Sequence, residues 1–443
     1  MLKSIQNFFK KQYNLIIILI SWLRFMYWLG RNYNNIKNNR DCAKLLKEKL
    51  ENLGILGIKL GQYMCTRIDI TSDIMKEELQ GFLNNNKTHG MDHTMNILNK
   101  ANINNIIIED IIGSGSLTQA YMCRLPLYST NETFVLKVKH PEIANMNNEI
   151  YVVKKIIRFM SCFNRFKFFI NIDWNGFFNL LEIQLDLNNE KRFMEKYYSM
   201  YNNNSEITIP RYIVGGSDFI IMTYCMGKTL NCYNRDSTIY KKAHNLFACS
   251  VYHTFFTNMI LHGDIHEGNI LVRDDGTISI IDFGICIEFS DDDIKGIMAT
   301  SKFENDPTKE NLYNFVNGII YPYDIYNKNI NMNNIVSKIY DDYNNVYSKE
   351  KLTNFNDNIN RIITNLKQYN VIMKNNILLY LLNVLLISGM SPYNEKYNMT
   401  PIIALSYMKK NKFFTKECEL FLNEYYNIMY KKIPIDLIKK YNI

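Results

Sequence analysis

Residues 262–284 constrain the fold of this 443-residue chain more than any other stretch. Asp264 lies two positions after His262, Asn269 follows five positions later, and Asp282-Phe283-Gly284 ends the stretch. Between them, two short apolar runs flank an Asp-Asp-Gly turn and predict a β-hairpin. This spacing is typical of phosphotransferases, in which one Asp faces the acceptor hydroxyl while an Asn and a second Asp hold magnesium. We therefore predict Asp264 as the catalytic base and Asn269 and Asp282 as Mg²⁺ ligands.

A second segment, residues 106–138, has the apolar texture of β-strands interrupted by a glycine loop. Strands are predicted at 106–112, 121–125 and 134–138, and Gly113-Ser114-Gly115-Ser116 forms a tight loop after the first. Glycines let backbone N–H groups approach phosphate oxygens, and Lys137 in the third strand supplies a fixed positive charge. The order predicts the N-lobe of a kinase, in which this loop and Lys137 bind ATP.

An acidic pattern follows these strands. Glu182, Asp186 and Glu190 recur at four-residue spacing, which predicts one helix with an acidic stripe. Such a stripe is ordinarily a solvated face. A kinase, however, needs one helix carboxylate to pair with the strand lysine, and we expect Glu190 to pair with Lys137.

The segments around the catalytic loop complete the kinase-like order. Tyr224 and Met226 follow a predicted hairpin and form a candidate hinge whose backbone contacts adenine. Gly263 stands where protein kinases have the Arg that reads a phosphorylated activation loop. Gly284 is followed after only a few residues by a predicted helix cap at Ser290, and no Ala-Pro-Glu follows. These features argue against a platform for a peptide substrate.

The N-terminal region is predicted to be helical. Residues 15–29 are strongly apolar, but Arg24 interrupts them and they fall short of the roughly 20 residues of a membrane span. A helix packed on protein, an interfacial anchor and a true span all stay open. We therefore expect an intracellular location with membrane association through the N-terminal apolar helix. Downstream, Lys59 and Gln62 lie three apart and share a helix face.

Composition and charge give no indication of a nucleic-acid-binding, zinc-binding or disulfide-rich protein. Basic residues outnumber acidic ones by 51 to 43, but Asn, Ile and Tyr are also abundant, so codon bias explains the excess of lysine as well as a polyanionic partner would. No Arg-rich or aromatic-interleaved basic patch is present, and nucleic acid is not an expected partner. The nine cysteines form no CxxC pair and no zinc spacing, which indicates a reducing compartment.

Together these motifs resemble the UbiB (aarF-type) family of atypical kinase-like proteins, which is linked to coenzyme Q and isoprenoid lipid metabolism. Residues 59–62 match the family's Lys-x-Gly-Gln signature, and residues 262–269 match its His-x-Asp-x-His-x-Gly-Asn loop. Ser116 and Gln119 fall in the family's nucleotide loop. The resemblance implies ATP or ADP and Mg²⁺ as cofactors, and a membrane surface or an isoprenoid lipid as partner. It also implies that Lys59 and Gln62 reach over the nucleotide pocket.

Two departures from the family pattern bear on the site. The sequence Gly113-Ser114-Gly115-Ser116 replaces the usual Ala-rich loop, which predicts nucleotide binding closer to that of ordinary kinases. Gln184 replaces the Glu that is expected to pair with Lys59, which weakens a charge-assisted contact. Glu182 is an alternative partner, although it lies on a different side of the predicted helix.

We therefore expect an α+β, two-lobed protein-kinase-like fold with an N-terminal helical extension and a mostly helical C-lobe. The predicted segments are an apolar helix (1–40), the extension with the signature (41–105), an N-lobe with a helical insertion (106–226) and the C-lobe (227–443). The expected activity is an Mg²⁺-dependent phosphotransferase or ATPase that acts on a small or lipid-like acceptor. A nucleotide-sensing pseudokinase and a Ser/Thr protein kinase are the alternatives.

Overall fold

The computed structural model describes residues 2–67, 71–84, 88–126, 132–160, 173–320, 331–350, 361–366, 373–393, 400–410 and 435–441. These residues fall into two compact units. Unit 1 contains the chain up to Leu185 together with Gly216–Phe219, and unit 2 contains the rest from Asp186 onward. The segment boundaries predicted at residues 40, 105 and 226 stay predictions.

The periodic apolar residues at the start of unit 1 form a set of packed helices. These are α1 (Leu2–Asn38), α2 (Arg40–Asn52), α3 (Ile55–Thr66), α4 (Asp73–Leu79) and α5 (Met91–Lys100). Asn39 separates the first two, because its side-chain oxygen accepts hydrogen bonds from the backbone N–H groups of Asp41 and Cys42. Gly61 lets α3 approach Phe82 closely, since a Cβ at Gly61 would lie 2.4 Å from the Phe82 ring.

Three consecutive antiparallel strands follow in unit 1. They are β1 (Ile107–Ser114), β2 (Thr118–Arg124) and β3 (Thr133–Lys139). A short 3₁₀-helix, Pro141–Asn145, then leads into α6 (Met146–Met160), and α7 (Trp174–Leu185) ends the unit's helices. The sequence placed the end of the first strand before Gly113, but β1 runs on through Ser114, which pairs with Gln119. The glycine loop is therefore tighter than expected.

The helix α1 corrects the prediction for the N-terminus. Trp22, Met26 and Leu29 are buried in the helical core of unit 1, and the indole N–H of Trp22 donates to Glu149 Oε1 in α6 at 2.9 Å. Among the residues that the structure describes, no helix is long and apolar enough to cross a membrane. The predicted location, with membrane association through an N-terminal apolar helix, is therefore wrong, because Arg24 interrupts the apolar run and the side of the helix that carries Trp22 and Met26 packs on protein. The apolar side chains Ile16, Ile17, Leu19 and Ile20 are exposed.

Unit 2 begins with a helix and a group of short strands. They are α8 (Leu187–Tyr201), β4 (Ile207–Thr208), β5 (Tyr212–Gly215), β6 (Phe219–Thr223), β7 (Lys228–Thr229), α9 (Thr238–Asn258), β8 (Ile260–His262), β9 (Ile270–Val272), β10 (Ile278–Ile280) and β11 (Cys286–Glu288). β9 and β10 form the predicted antiparallel hairpin, in a sheet ordered β4-β10-β9-β7. β8 pairs with β11, so the strands that flank the catalytic loop and the turn after it are joined.

Helices make up the remainder of unit 2. They are α10 (Asp291–Asn305), α11 (Lys309–Ile319), α12 (Met332–Glu350), α13 (Asn375–Gly389), α14 (Thr400–Lys410) and α15 (Ile435–Tyr441), and residues 361–366 are also helical. The predicted cap of α10 is confirmed: Ser290 Oγ accepts from the Asp293 N–H, and the Asp293 carboxylate accepts from the Ser290 N–H. This capping box fixes where the helix begins.

The predicted acidic helix is two helices. α7 ends at Leu185, and Asp186 is the N-cap of α8, with Oδ1 accepting from the Asn188 N–H at 3.0 Å. Glu182 is exposed on α7, whereas Glu190 is buried in the first turn of α8. The single acidic stripe expected from the four-residue spacing is therefore wrong, because an Asp at this spacing caps a new helix as readily as it continues one.

Candidate active site

His262 anchors the catalytic loop in unit 2. The N–H of Asp264 donates to His262 Nδ1 at 3.3 Å, so Nε2 carries the proton and faces the Ile281 carbonyl oxygen at 3.4 Å. Burial lowers the pKa of His262, against the opposing effect of the Asp264 and Asp282 carboxylates, and favours this neutral form. One imidazole thus ties the loop that carries Asp264 to the strand that leads to Asp282.

Asn269 is oriented by the backbone of the same loop. It ends the short 3₁₀-helix Glu267–Asn269, and its Nδ2 donates to the Asp264 carbonyl oxygen at 2.9 Å. Because the amide nitrogen faces this carbonyl, the amide oxygen points the other way. The Asp264 carboxylate is about half exposed, and its Oδ2 lies 3.9 Å from His266 Nε2. One loop therefore carries both the Asn269 amide oxygen and the accessible Asp264 carboxylate.

Asp282 occupies a constrained backbone position. Its φ is +62°, in the left-handed region that few residues other than Gly, Asn and Asp adopt. Its Oδ1 accepts from the Gly284 N–H at 3.2 Å. The next residue, Phe283, is buried, with ring centroids 4.9 Å from Tyr197 and 5.5 Å from His262. The packing of Phe283 holds the turn in this conformation. Residues with a left-handed backbone, such as Asp282, are concentrated at functional sites.

Three carboxylates surround this turn within unit 2. The pKa of the Cys286 thiol is raised well above its ordinary value by burial and then by the charges of Glu190, Asp282 and Asp264. A Cβ at Gly284 would lie 3.2 Å from Asp282 Oδ1 and 3.8 Å from Glu190 Oε2. Glu190 therefore lies beside the turn that carries Asp282.

The oxygen atoms of Asn269 and Asp282 are the candidate ligands for Mg²⁺. In the described ranges, no group of three or more His, Cys, Asp or Glu side chains could hold a metal ion. Mg²⁺ in phosphotransferases uses one or two protein oxygen ligands and completes its shell with phosphates and water. The Asn269 amide oxygen and the Asp282 carboxylate fit a metal that arrives with a nucleotide.

Two glycines shape the same region. The N–H of Gly263 donates to the Ile285 carbonyl oxygen at 2.7 Å, and a Cβ at Gly263 would lie 2.8 Å from Ile285 Cγ2. An arginine at this position would require Ile285 to shift. Gly227 has φ +143° and approaches the Val272 backbone, where a Cβ would lie 2.8 Å from the carbonyl oxygen. It follows the candidate hinge, in which Tyr224 and Met226 are exposed.

The predicted phosphate-binding residues lie in unit 1. The backbone N–H of Gly115 donates to the Thr118 carbonyl oxygen at 2.8 Å and closes the loop Gly113-Ser114-Gly115-Ser116. Lys137 is half-buried on β3, opposite Ala120 of β2. Because Lys137 and Glu190 belong to different units, their pairing stays a prediction.

The signature residues contact other parts of unit 1. Lys59 Nζ donates to Gln184 Oε1 at 2.7 Å, so the lysine does meet the amide that replaces the expected carboxylate. Gln62 Nε2 donates to the Phe82 carbonyl oxygen at 2.9 Å. Glu182 does not substitute for Gln184, because its carboxylate accepts from Lys154 at 2.6 Å. A role for Lys59 and Gln62 over a nucleotide stays a prediction.

Sequence reasoning missed the aromatic support of the turn. Tyr197 lies two turns after Glu190 in α8, and both are buried. The apolar positions Phe193, Met194 and Tyr201 share their side of the helix, and this spacing was the available signal.

Comparisons with known proteins agree with this geometry. A family model described as an ABC1 atypical kinase-like domain matches residues 77–306. The chain is 26% identical to a mitochondrial ABC1 family protein of Saccharomyces cerevisiae, over 58% of this chain and 44% of that protein. It is 23% identical to a protein of Dictyostelium discoideum named as a probable serine/threonine-protein kinase, over 54% and 36% of the two chains. It is 25% identical to the chloroplastic ACTIVITY OF BC1 COMPLEX KINASE 1 of Arabidopsis thaliana, over 60% and 41%.

The matches cover part of each relative, since the chain spans less than half of the length of these three proteins. The kinase-like family model, the antiparallel strands and the predominance of helix confirm the predicted two-lobed kinase-like α+β fold. The yeast relative is named as mitochondrial, a location that the sequence did not predict.

Proposed function

The chain belongs to the ABC1 atypical kinase-like family, and from this we propose that it binds ATP or ADP with Mg²⁺ and acts as a phosphotransferase or ATPase. The arrangement of Asp264, Asn269 and Asp282 on one rigid loop and turn carries the proposal. Asp264 accepts the proton of the attacking hydroxyl or water, while the γ-phosphoryl group moves to that oxygen and ADP leaves. Asn269 and Asp282 hold Mg²⁺ against the phosphates.

The remaining predicted residues bind the nucleotide in this proposal. Lys137 neutralises phosphate charge and Glu190 orients it, the loop Gly113–Ser116 offers backbone N–H groups, and the hinge at Tyr224 and Met226 contacts adenine through its backbone. Lys59 and Gln62 cover the nucleotide from the signature helix.

A small or lipid-like acceptor hydroxyl, or water, fits the region after the turn. Residues Cys286–Glu288 pair as β11 with β8, and α10 starts at Asp291 behind a capping box. Within a few residues of Gly284, the chain is thus already part of a strand and then of a helix. This supports an acceptor other than a peptide, since peptide substrates dock on a longer activation segment.

Nucleotide binding is tested by thermal unfolding. Mg²⁺ with ADP or ATP should stabilise the protein by about 2.7 kcal/mol at a ligand concentration 100 times Kd. Asp282→Asn should remove the Mg²⁺-dependent part of this gain. Asp274→Asn makes the same charge change at an exposed position of the neighbouring turn and should keep it. A parent protein that no nucleotide stabilises would contradict the proposal.

Catalysis is tested by ATP turnover, with and without anionic lipid vesicles as a source of acceptors. Asp264→Asn should bind nucleotide like the parent protein and lose turnover. If the parent binds ATP but does not turn it over under any condition, the chain works as a nucleotide-sensing module instead. Phosphorylation of added proteins would favour a protein kinase.

A further inference from the structure

A chain of hydrogen bonds in unit 1 ends on the glycine loop. Its members come from the segment before and within α5, from β2 and from the end of β3. In order they are Gln119, Tyr121, Thr94, His89 and His140. His140 Nε2 lies 3.0 Å from the carbonyl oxygen of Gly115, the third residue of the loop. We call these five side chains the histidine relay.

The bonding atoms fix the direction of the relay. A carbonyl oxygen only accepts, so His140 Nε2 carries a proton and donates to Gly115. In neutral His140, Nδ1 then accepts from His89 Nδ1, 2.7 Å away. His89 Nε2 accepts in turn from Thr94 Oγ1 at 2.9 Å, which accepts from the Tyr121 hydroxyl at 2.8 Å. With His140 neutral and Nε2 as its donor, each proton position requires the next along the relay.

Residues of the relay also make hydrogen bonds with main-chain groups. The side-chain oxygen of Gln119 accepts from the His89 N–H at 2.8 Å, and its nitrogen donates to Tyr121 OH at 2.8 Å. The His140 N–H donates to the Leu117 carbonyl oxygen at 2.9 Å. Gln119, Tyr121 and Thr94 are buried, where hydrogen bonds are stronger and an unmade one is costly.

His89 is neutral in this arrangement. Burial, followed by the neighbouring His140 and His93, lowers the pKa of His89 to about 4, with Glu142 opposing. A metal does not explain the cluster. Two nitrogens bound to one tetrahedral Zn²⁺ would lie about 3.3 Å apart, whereas His89 Nδ1 and His140 Nδ1 are 2.7 Å apart. Hydrogen bonding is the chemistry that fits this distance.

The last bond of the relay orients a peptide group. In a planar trans peptide the C=O and the following N–H point in opposite directions. When His140 holds the Gly115 carbonyl oxygen on its side, the N–H of Ser116 is turned to the other side of the loop. An outward N–H in a glycine loop is the kind of donor that phosphate oxygens accept.

We infer that His140 is a positioning residue, which through the Gly115 carbonyl presents the loop N–H groups to the phosphates of a bound nucleotide. This rests on the proposed function. The other members of the relay set the tautomer of His140 and so keep its Nε2 a donor. His93 is not part of this path, because its Nε2 bonds to the Lys139 carbonyl oxygen at 3.0 Å instead.

Nucleotide titrations on matched variants test the inference. His140→Leu should raise the Kd for Mg²⁺-ADP by about three- to tenfold, the effect of one hydrogen bond. His140→Gln should recover much of the affinity, because its amide nitrogen can donate to Gly115. His93→Leu removes a histidine whose ring contacts His89 at 4.9 Å between centroids, and it should leave the Kd unchanged. Stability of each variant is measured without ligand.

The outcomes separate the two proposals. If the parent binds ADP and His140→Leu binds it equally well, or if His93→Leu weakens binding as much, the role of His140 is overturned. A parent that binds no nucleotide overturns the proposed function and, with it, the phosphate role of the loop. Independently, ¹⁵N spectra of histidine-labelled protein should show His89 protonated at Nδ1 and His140 at Nε2; any other tautomer pair would overturn the relay.

Discussion

Gln184→Glu restores the carboxylate that the signature lysine meets in the family pattern. In the structure the change replaces an amide oxygen that accepts from Lys59 Nζ at 2.7 Å, in a partly buried position. The new side chain has almost the same shape, so the contact distance should persist. The substitution therefore converts a hydrogen bond between a cation and a neutral amide into an ion pair, with little change in packing.

The expected gain is modest. Exposed ion pairs contribute about 0.2–1 kcal/mol, and partial burial strengthens the attraction but adds a desolvation cost. We therefore expect Gln184→Glu to raise the free energy of unfolding by about 1 kcal/mol at pH 7. An acid beside a cation has a depressed pKa, so the gain should be present above roughly pH 4.3 and be lost as the pH falls further.

Chemical denaturation of a double-mutant cycle measures this coupling. The cycle combines Gln184→Glu with Lys59→Met, and only the pair that retains Lys59 should show the gain. Glu182→Gln is the matched control on the same helix. It removes an ion pair with Lys154 whose side chains are 48% and 44% exposed, and it should change stability by less than about 0.5 kcal/mol. A coupling energy near zero, or one that persists at pH 3, would refute the contact.

Two further predictions concern other ionisable side chains of unit 1. Arg67 and Asp173 are fully buried, with Nη1 and Oδ2 3.4 Å apart. Arg67→Met removes the cation that faces the buried Asp173 carboxylate. It should therefore lower the free energy of unfolding, measured by denaturant titration, by about 3–5 kcal/mol. Adding Asp173→Leu should recover part of that loss, and a double variant worse than the single would contradict the pairing. Unfolded His89 takes up a proton near pH 6.5 but folded His89 only near 4, so the free energy of unfolding should fall as the pH drops through this window. A His89→Gln variant should lack that part of the slope, and an equal slope in both proteins would contradict a lowered pKa.

The catalytic loop and hairpin could be predicted because their signals are local. The strands Ile270–Val272 and Ile278–Ile280 are apolar runs on either side of an Asp-Asp-Gly turn, and they form as expected. Gly276 has φ +77°, which a turn of this kind requires and glycine permits. Such features depend on neighbours within a few residues, so the sequence alone carries them.

The interruption of the helix at Asp186 could not be predicted from the spacing of the acidic residues. Four-residue periodicity continues from Glu182 to Glu190 whether or not the helix is interrupted, since a capping Asp occupies the same register. The interruption puts Glu182 on the surface beside Lys154 and leaves Glu190 buried beside the turn. Pattern reasoning singled out Glu190, whose pairing with Lys137 stays a prediction, but it placed Glu190 on the same helix as Glu182.

The histidine relay was missed for a different reason. His89 and His140 are 51 positions apart and meet only because β2 and β3 bring the end of one strand beside the segment before α5. Neither residue lies in a motif with a known spacing. Contacts of this length depend on tertiary packing, which single-sequence patterns do not record.

The parts of the site are set by separate sets of contacts. His262 fixes the loop that carries Asp264 and the turn that carries Asp282 to each other through bonds that lie wholly within unit 2. The glycine loop is fixed within unit 1 by His140 and by the Gly115–Thr118 bond. Changes at the glycine loop should therefore act mainly on nucleotide affinity, whereas a change of His262 should lower turnover together with the Mg²⁺-dependent part of nucleotide binding. A His262 variant that kept its turnover rate would contradict this division.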